Sequence, residues 1–411
     1  MNSSALAADS TDQTTVEDGI KFHYDLPPSF FQLFLDQATM SYTCGYFRDG
    51  DTTLEDAQRR KLELVARKLQ LRPADRLLDI GCGWGNMMFH AAARGCHVTG
   101  MTLAPEQAKF IRWEAKRLGI QDRVDVVVQD AGGVLPFAAG SFDRIVTIGA
   151  TEHIADINLL FRECRRVLKD DGLMLQHAIT ASPEEVVDND ELRFLQQHIF
   201  PVGEVKPLRG YVEAFEAAQL EVIHVHDISD HYPLTLRHWL RNLETAGIGA
   251  SNALGVLPER WRAQRLFLAG CAVIFSESHS LCYEQLVRPV DPGRRRKPLP
   301  AGVAQYDLED SQPEPLPTIL LDAPLVALEV IDGPSLFVYG DGGALTVGAP
   351  PHDPDCRIRV DMATLTEIAG DMGALVEAYL QDRVQVEGDL IAVIQLREAL
   401  AGLGSQGGIV T

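Results

Sequence analysis

The segment LLDIGCGWGN, residues 77–86, constrains the fold of this chain more than any other part of the sequence. Its apolar start predicts a short buried strand, and a helical pattern begins where the segment ends. The three glycines at alternate positions let the backbone turn sharply and approach a ligand, because no Cβ stands in the way. Asp79 can accept hydrogen bonds from an ammonium group, and the unpaired amides at the helix start can receive a carboxylate or a phosphate. The segment therefore predicts a strand, a ligand-binding turn and a helix.

The spacing of Gly81, Gly83 and Gly85 distinguishes two classes of nucleotide-binding turn. Dinucleotide-binding proteins have G-x-G-x-x-G and an acidic residue about 20 positions later that holds a ribose. Here the third glycine comes one residue early, and the next predicted strand, 97–101, ends without an acid, which argues against NAD. The pattern D-x-G-x-G-x-G instead resembles motif I of S-adenosylmethionine-dependent methyltransferases, whose cofactor carries both an ammonium and a carboxylate. A purely structural glycine turn is the alternative.

Strands and helices alternate along the first half of the chain. The predicted strands are 76–80, 97–101, 124–129, 142–148 and 172–179, and the predicted helices include 29–35, 54–71 and 105–118. This alternation predicts an α/β fold, a parallel sheet with helices on both faces, and ligands beyond the carboxyl ends of the strands. Thr52 and Glu55 have capping-box spacing before the second helix. Residues 181–260 are mostly helical in composition and predict a cap over the site, with 262–275 closing the domain.

Charge and cysteine usage limit the partners of the chain. A net charge of −21 over 411 residues disfavours nucleic acid, because affinity there comes mainly from neutralising phosphates. Seven cysteines without a CxxC pair indicate a reducing compartment rather than a disulfide framework. The first twenty residues have no apolar core, and no apolar run reaches the 18 residues that a membrane span needs. We expect a cytoplasmic protein; the basic run RRRK at 294–297 leaves peripheral contact with an anionic membrane as an alternative to a solvated linker.

The composition divides the chain into four parts. We predict a disordered tail at residues 1–18 and a catalytic domain with its cap at 19–286. A linker with seven prolines follows at 287–317, and a small α+β domain at 318–411. In the last part we predict strands 325–330, 336–339, 344–347 and 356–360, then helices at 365–368, 374–380 and near 389. This domain has no catalytic cluster of its own, so it is better explained as a binding or docking module than as a second enzyme.

Seven separated motifs give the chain a more specific resemblance. They are FHYDL (22–26), SYTCGYF (41–47), LLDIGCGWG (77–85), VTGMTL (98–103), IGATEH (148–153), IFP (199–201) and HY (231–232). In this order and spacing they resemble the cyclopropane fatty acid synthase family, which includes the mycolic acid cyclopropane synthases, over roughly residues 20–285. The resemblance implies a Rossmann-like class I methyltransferase sheet with a helical cap, to which the small C-terminal α+β domain is added.

The family transfers the methyl group of its cofactor to an isolated double bond, and a bound bicarbonate then takes a proton from the new methyl group. By this resemblance the bicarbonate pocket falls on Cys44, Glu152, His177, Tyr232 and the backbone of Ile179. His177 and the Tyr232 hydroxyl can donate hydrogen bonds to an anion, while Glu152 can accept the remaining proton and orient His177. Taken singly, Cys44 could be a small buried apolar residue, Glu152 a helix cap, and His177 and Tyr232 hydrogen-bonded core residues.

The same resemblance implies a set of contacts to S-adenosylmethionine. In this set Thr102 and Gln107 would replace the missing ribose acid, and Asp130 would lie near the adenine. No metal site is implied. The implied cofactor residues are Tyr42, Thr43, Asp79, Gly81, Gly83, Thr102, Leu103, Gln107 and Asp130.

The leading hypothesis is therefore an S-adenosylmethionine-dependent C-methyltransferase that cyclopropanates an unsaturated acyl chain. There are three alternatives: formation of a methyl branch or a methylene group, methylation of a small apolar natural product in the same pocket, or a lipid-binding protein with a silent methyltransferase domain. The tail, with GDMGALVEAY at 370–379 and EGDL at 387–390, resembles the small domain of bacterial cyclopropane fatty acid synthases or, alternatively, a sterol-carrier-like module. A dimerisation piece within a homodimer is the structural explanation for the same segment.

Overall fold

The computed structural model describes residues 26–48, 52–182, 205–290, 316, 324–331, 335–339, 344–347, 353–368 and 372–395, the side chains of 335–339 and 344–347 excepted. Several sequence predictions lie outside these residues: the tail 1–18, most of the motif at 22–26, the IFP motif at 199–201 and most of the linker 287–317.

The larger part of the described chain alternates between strands and helices. Its elements are α1 (Pro28–Phe31), α2 (Leu54–Lys68), β1 (Arg76–Ile80), α3 (Asn86–Ala93), β2 (His97–Thr102), α4 (Pro105–Arg117), β3 (Val124–Val128), β4 (Phe142–Ile148), a 3₁₀ turn (Thr151–His153), α5 (Ile157–Val167), β5 (Leu168–Ala181), α6 (Leu208–Ala217), β6 (Leu220–Asp227), α7 (His231–Ala253), α8 (Pro258–Ser276) and β7 (Ser280–Pro289). All five strands predicted before residue 180 are present, four within two residues of the predicted bounds at either end.

These strands form one seven-stranded sheet in the order β3-β2-β1-β4-β5-β7-β6. The first five are parallel, and β7 is antiparallel to both β5 and β6. Adjacent residues of a strand point to opposite faces, so Leu77 lies in a core shared with α2, α3 and α4, whereas Leu78 lies in a core shared with α5 and α6. The predicted α/β fold with helices on both faces is therefore confirmed.

A third apolar core lies under the two long helices α7 and α8. Phe31 and Phe34 from the N-terminal segment pack there with Trp239 of α7 and Leu268 of α8. We call these two helices the cap. Helix α7 lies inside the segment 181–260 that the composition predicts as a cap, whereas α8 corresponds to 262–275, which was expected to close the domain. None of the helices among the described residues has the length and apolar character needed to cross a membrane.

Some boundaries differ from the sequence predictions. The strands β6 and β7 were not predicted, and β7, rather than the helix ending near residue 275, completes the domain; the expected linker start at 287 lies inside β7. Helix α1 ends at Phe31 rather than at residue 35. The cap of α2 is Thr53, whose hydroxyl accepts a hydrogen bond from the Asp56 amide, so the predicted Thr52 pairing was wrong by one residue.

The C-terminal part folds around a second, five-stranded sheet. Its elements are β8 (Leu325–Val330), β9 (Ser335–Tyr339), β10 (Ala344–Val347), β11 (Cys356–Val360), α9 (Met362–Ile368), α10 (Met372–Leu380), β12 (Val384–Gly388) and α11 (Leu390–Gln395), with the strand order β10-β9-β8-β11-β12. The predicted strands and helices of this part are present, and β12 is an additional strand. The small α+β domain is thus confirmed.

Helix α8 joins the two sheets. In the first half of this helix, Arg265 donates hydrogen bonds to the carbonyl oxygens of Val386 (3.0 Å) and Gly388 (2.9 Å) in β12. Leu390 and Ile391 of α11 are buried in the same apolar core as Phe275, close to the end of α8. The C-terminal domain therefore packs directly on the cap of the catalytic domain.

Candidate active site

The glycine turn after β1 closes tightly against a neighbouring loop. Gly81, Gly83 and Gly85 have φ angles of +73°, +52° and +85°, in the left-handed region that favours glycine. A Cβ on Gly81 would lie 2.3 Å from the Cβ of Ala150, whereas a Cβ on Gly83 would meet no atom within 4 Å. Gly81 is thus required for packing, and Gly83 leaves its side of the turn open to a ligand.

Two adjoining cavities lie at the carboxyl ends of β1, β2 and β4, where a parallel sheet of this type binds ligands. The larger has a volume of about 280 Å³ and the smaller about 70 Å³, and both are lined by Gly81, Gly83 and Gln107. Every cofactor residue that the resemblance implies lines one or both. The larger adds Thr102, Leu103 and Asp130; the smaller adds Tyr42, Thr43 and Asp79.

Some of the polar groups around the cavities already make hydrogen bonds within the protein. Thr102 Oγ1 donates to Gln107 Oε1 at 2.6 Å, so the amide nitrogen is the group that Gln107 can offer to a ligand. One oxygen of Asp130 accepts the Gly132 amide at 2.8 Å and holds its own loop. Asp79 is buried, and burial raises its pKa to about 7. A carboxyl group in this setting is stabilised by a cation such as the ammonium group of S-adenosylmethionine, so the residues present fit that cofactor.

The loop that carries Tyr42, Thr43 and Cys44 is held from two helices. On α2, Gln58 donates to the Thr43 carbonyl oxygen at 2.8 Å and Lys61 donates to the Thr43 hydroxyl at 2.7 Å. Burial lowers the pKa of Lys61 to about 8. On α8, Gln264 donates to the Tyr42 hydroxyl at 3.0 Å. The loop therefore fixes one wall of the cavity and places Cys44 behind it.

Glu152 lies in the 3₁₀ turn after β4 and reaches the end of β5. Its Oε1 accepts the backbone amide of Ile179 at 2.6 Å, while Oε2 is buried without a hydrogen-bond partner among the described residues. Burial raises the pKa of Glu152 to about 7, although the hydrogen bond from Ile179 opposes this shift. A carboxyl with a free buried oxygen and such a pKa can donate or accept a proton near neutral pH.

Cys44 and Tyr232 approach the same region from the other side. The Cys44 thiol is buried, 3.3 Å from the Gly45 carbonyl oxygen. Tyr232 begins α7, and its ring stacks on Phe275 with a centroid distance of 4.1 Å. Burial raises the pKa of Tyr232 well above its ordinary value, and the neighbouring Cys44 and Glu152 add to the effect. The phenol is therefore a hydrogen-bond donor at any ordinary pH.

His177 has a carboxylate neighbour that the sequence does not reveal. Its Nδ1 lies 3.5 Å from Glu284 Oε1 and its Nε2 lies 3.4 Å from Cys282 Sγ, both on β7. The expectation that Glu152 orients His177 was wrong, because Glu152 bonds Ile179 and the carboxylate facing His177 is Glu284. In the sequence, the spacing of Cys282 and Glu284 would place them on one face of a strand. That spacing could not be used, because the strand itself was not predicted.

The fold and the glycine-lined cavity at the strand ends define a class I methyltransferase. A family model described as Mycolic acid cyclopropane synthetase matches residues 11–285, and one described as SCP-2 sterol transfer family matches residues 295–401. A probable fatty acid methyltransferase of Pseudomonas putida is 37% identical over 297 residues, which cover 70% of this chain and 74% of the relative. Cyclopropane mycolic acid synthase 1 of Mycobacterium tuberculosis is 33% identical over 279 residues, which cover 62% of this chain and 91% of the relative.

Solved structures agree with these matches. A cyclopropane synthase from Mycobacterium tuberculosis superposes with a TM-score of 0.62 at 30% identity, over 67% of this chain and 99% of that chain. A mycolic acid cyclopropane synthase solved with SAH and CTAB gives a TM-score of 0.61 at 32% identity, over 66% and 97%. The chain belongs to the mycolic acid cyclopropane synthetase family, and it is an S-adenosylmethionine-dependent methyltransferase. The alternative of a silent methyltransferase domain is therefore not retained.

The second match concerns the C-terminal domain. From its sequence, this domain resembles the small domain of bacterial cyclopropane fatty acid synthases or, alternatively, a sterol carrier. The match to the SCP-2 sterol transfer family over 295–401 supports the alternative.

Proposed function

We propose that the chain methylates a carbon–carbon double bond of an unsaturated acyl chain and that loss of a proton from the new methyl group closes a cyclopropane ring. The observation that carries the proposal is Glu152, a buried carboxyl with one free oxygen that lies beside Tyr232 and behind the cofactor cavity. The relatives named for fatty acid and mycolic acid substrates support a lipid chain as acceptor.

The apolar surroundings of the site suit this chemistry. Tyr232, Phe275, Cys44 and Cys282 belong to one buried apolar core, which excludes water from a cationic intermediate. The Tyr232 hydroxyl can donate to an anion, and Glu152 can hold or release one proton. When bound, S-adenosylmethionine supplies the electrophilic methyl group.

The residues also fit the bicarbonate that the family resemblance implies. The free Oε2 of Glu152 and the protonated Tyr232 are complementary to an anion that carries one hydroxyl group. In the proposed pocket Cys44, Glu152, His177 and Tyr232 would hold it, while the Ile179 backbone amide, which already donates to Glu152, would keep that carboxyl in place. The bound anion would supply the base for the methyl proton.

We further propose that the C-terminal domain, which the SCP-2 match covers, binds the acyl substrate. Its packing on α8, whose other end carries Phe275 against Tyr232, supports a role next to the active site. The four-part division of the chain stays a prediction, in which the last strand of the catalytic domain ends at Pro289.

The test is mass spectrometry of total lipids from cells that express the protein and are fed methyl-labelled methionine. We expect labelled acyl chains heavier by one methylene unit, with a fragmentation pattern that distinguishes a ring from a methyl branch. Glu152→Gln should lose this label while the purified variant still binds S-adenosylmethionine. Glu106→Gln, which removes an exposed carboxylate on α4, is the matched control and should keep the label.

Unlabelled lipids from a protein that binds S-adenosylmethionine would contradict the acyl substrate and favour a small apolar natural product. Full labelling by Glu152→Gln would contradict the role of the buried carboxyl.

A further inference from the structure

The pairing of β5 with β7 determines which groups surround His177. His177 lies opposite Glu284 in this antiparallel pair, and Ile179 lies opposite Cys282. Residues two apart on a strand share a face, so Cys282 and Glu284 both reach the imidazole, one at each ring nitrogen. The environment of each nitrogen can therefore be considered separately.

Glu284 is a charged carboxylate although it is almost fully buried. Its Oε2 lies 2.7 Å from Lys68 Nζ, and both side chains are 1% exposed. Lys68 Nζ also lies 2.7 Å from Nδ1 of His226, which is 17% exposed. Burial alone would raise the pKa of Glu284, but the Lys68 ammonium and the neighbouring His177 and His226 hold it well below its usual range.

The side of His177 that faces Glu284 must carry a proton. Oε1 of Glu284 and Nδ1 of His177 lie 3.5 Å apart, and neither atom makes a hydrogen bond to any other group among the described residues. A carboxylate oxygen is only an acceptor, so an unprotonated Nδ1 beside it would place two lone pairs against each other. The 3.5 Å separation is at the long end for a hydrogen bond, yet it favours the Nδ1–H form.

The opposite nitrogen faces a donor. Burial raises the pKa of the Cys282 thiol well above its ordinary value, so the sulfur keeps its proton. The thiol can then donate to Nε2 across the 3.4 Å contact. Burial also lowers the pKa of His177, which keeps the ring neutral. Both neighbours therefore favour the same tautomer.

We propose that Glu284, held by Lys68, is a positioning residue that fixes neutral His177 in the Nδ1–H tautomer, so that the one acceptor lone pair of the ring lies on Nε2, where the Cys282 thiol donates to it in the ligand-free protein. A ligand that takes the place of the Cys282 thiol at Nε2 donates a hydrogen bond to His177 instead of accepting one from it, which reverses the role that the sequence suggests. A hydroxyl-bearing anion is expected to turn its one O–H towards His177 and its charged oxygens towards two donors, the Tyr232 hydroxyl and the protonated form of Glu152. This catalytic consequence rests on the proposed function, whereas the tautomer itself does not.

The test is an NMR spectrum of the ligand-free protein labelled with ¹⁵N-histidine, recorded above the ordinary pKa of histidine. Two-bond ¹⁵N–¹H couplings report which ring nitrogen carries the proton, and His177→Asn identifies the signals of His177. We expect the Nδ1–H pattern in the wild type. Lys68→Met/Glu284→Leu replaces the buried pair with apolar groups of similar size, which folded proteins often tolerate, and should shift His177 to the Nε2–H tautomer. Lys68→Met/Glu284→Gln keeps an acceptor oxygen and should retain Nδ1–H.

An Nε2–H pattern in the wild type would overturn the proposal, and so would an unchanged Nδ1–H pattern in the Leu variant. If the Leu variant does not fold, an Nε2–H pattern in the wild type or in the Gln variant would still overturn the proposal. With lipid substrate, we expect the Leu variant to lose about 10- to 100-fold in kcat with little change in KM, and the Gln variant to recover most of it. A wild type that shows Nδ1–H but labels no lipid would contradict the proposed function and leave this inference standing.

Discussion

Replacing Gly81 with alanine measures how tightly the glycine turn is built against the segment that carries Glu152. Gly81 has φ of +73°, and its added Cβ would lie 2.3 Å from the Cβ of Ala150. Gly119, at the end of α4, has φ of +70°, and an added Cβ there would meet no atom within 4 Å. The two substitutions share the backbone strain, and only Gly81→Ala adds a clash.

The difference between the two variants can be worked out from these contacts. Left-handed strain costs an alanine about 1–2 kcal/mol, and the reduced freedom of the unfolded chain offsets about 0.4–1 kcal/mol of it in both variants. Carbon atoms in contact lie about 3.5–4.0 Å apart, so the two Cβ atoms must separate by more than roughly 1 Å. Overpacking of this kind costs about 1–3 kcal/mol. We expect Gly81→Ala to lower the free energy of unfolding by this amount more than Gly119→Ala does.

Urea unfolding at matched m-values gives the two free energies. The double variant Gly81→Ala/Ala150→Gly removes the second Cβ and should recover most of the difference, which a double-mutant cycle isolates. S-adenosylmethionine affinity, measured by calorimetry, should fall in Gly81→Ala and not in Gly119→Ala. Equal destabilisation of the two single variants, or no recovery in the double variant, would refute the reasoning.

Three further predictions follow from the buried charges. Lys68→Met alone leaves Glu284 uncompensated and should cost about 3–5 kcal/mol of unfolding free energy in urea, most of which Lys68→Met/Glu284→Leu should restore; equal losses in both would contradict the pairing. Because the folded-state pKa of Asp79, about 7, lies above its ordinary 3.8, the folded protein holds a proton that the unfolded chain has released between about pH 4 and 7, so stability falls as pH rises through this window. The urea midpoint should therefore fall further between pH 5 and pH 7.5 in the wild type than in Asp79→Asn. Equal falls in the two proteins would count against the raised pKa of Asp79. Arg265→Lys keeps the charge beside Glu244 but cannot make both carbonyl bonds to β12, so we expect it to lower the free energy of unfolding by about 1–3 kcal/mol. The control Arg357→Lys, in the partly exposed pair with Glu329, should lower it by less than about 1 kcal/mol.

The sequence predicts the parallel half of the sheet and not its antiparallel edge, for a physical reason. Strands β1 and β4 each end in a mainly apolar stretch, 77–80 and 145–148, that is followed directly by a glycine, so their pattern is easy to recognise. The strand β7 is buried along most of its length but contains Glu284, Gln285 and Arg288, which interrupt the apolar pattern. The edge strand β6 contains two histidines and is only half-buried, so it looks like a surface segment.

The same distinction applies to the site. Residues of the glycine turn and the Glu152 turn follow predicted strands, and the structure brings them together at the sheet edge. The pair of Lys68 and Glu284 joins α2 to β7 across 216 residues, and each partner alone is a residue type that is normally exposed. Nothing local in the sequence marks either as buried, so only the three-dimensional pairing reveals them.

The docking of the C-terminal domain has a consequence for how the two domains can diverge. On α8, Arg265 bonds the carbonyl oxygens of Val386 and Gly388, and Arg262 bonds that of Leu380 at 2.9 Å. Main-chain oxygens are present whatever the side chains are, so these three bonds depend on the path of the partner backbone and not on its residue types. The contacts of Arg262 with Asp382 and of Arg265 with the Tyr379 hydroxyl are the side-chain part of the same contact. The accessory domain can therefore exchange many side chains in evolution and keep its place, provided that its backbone keeps the same course beside α8.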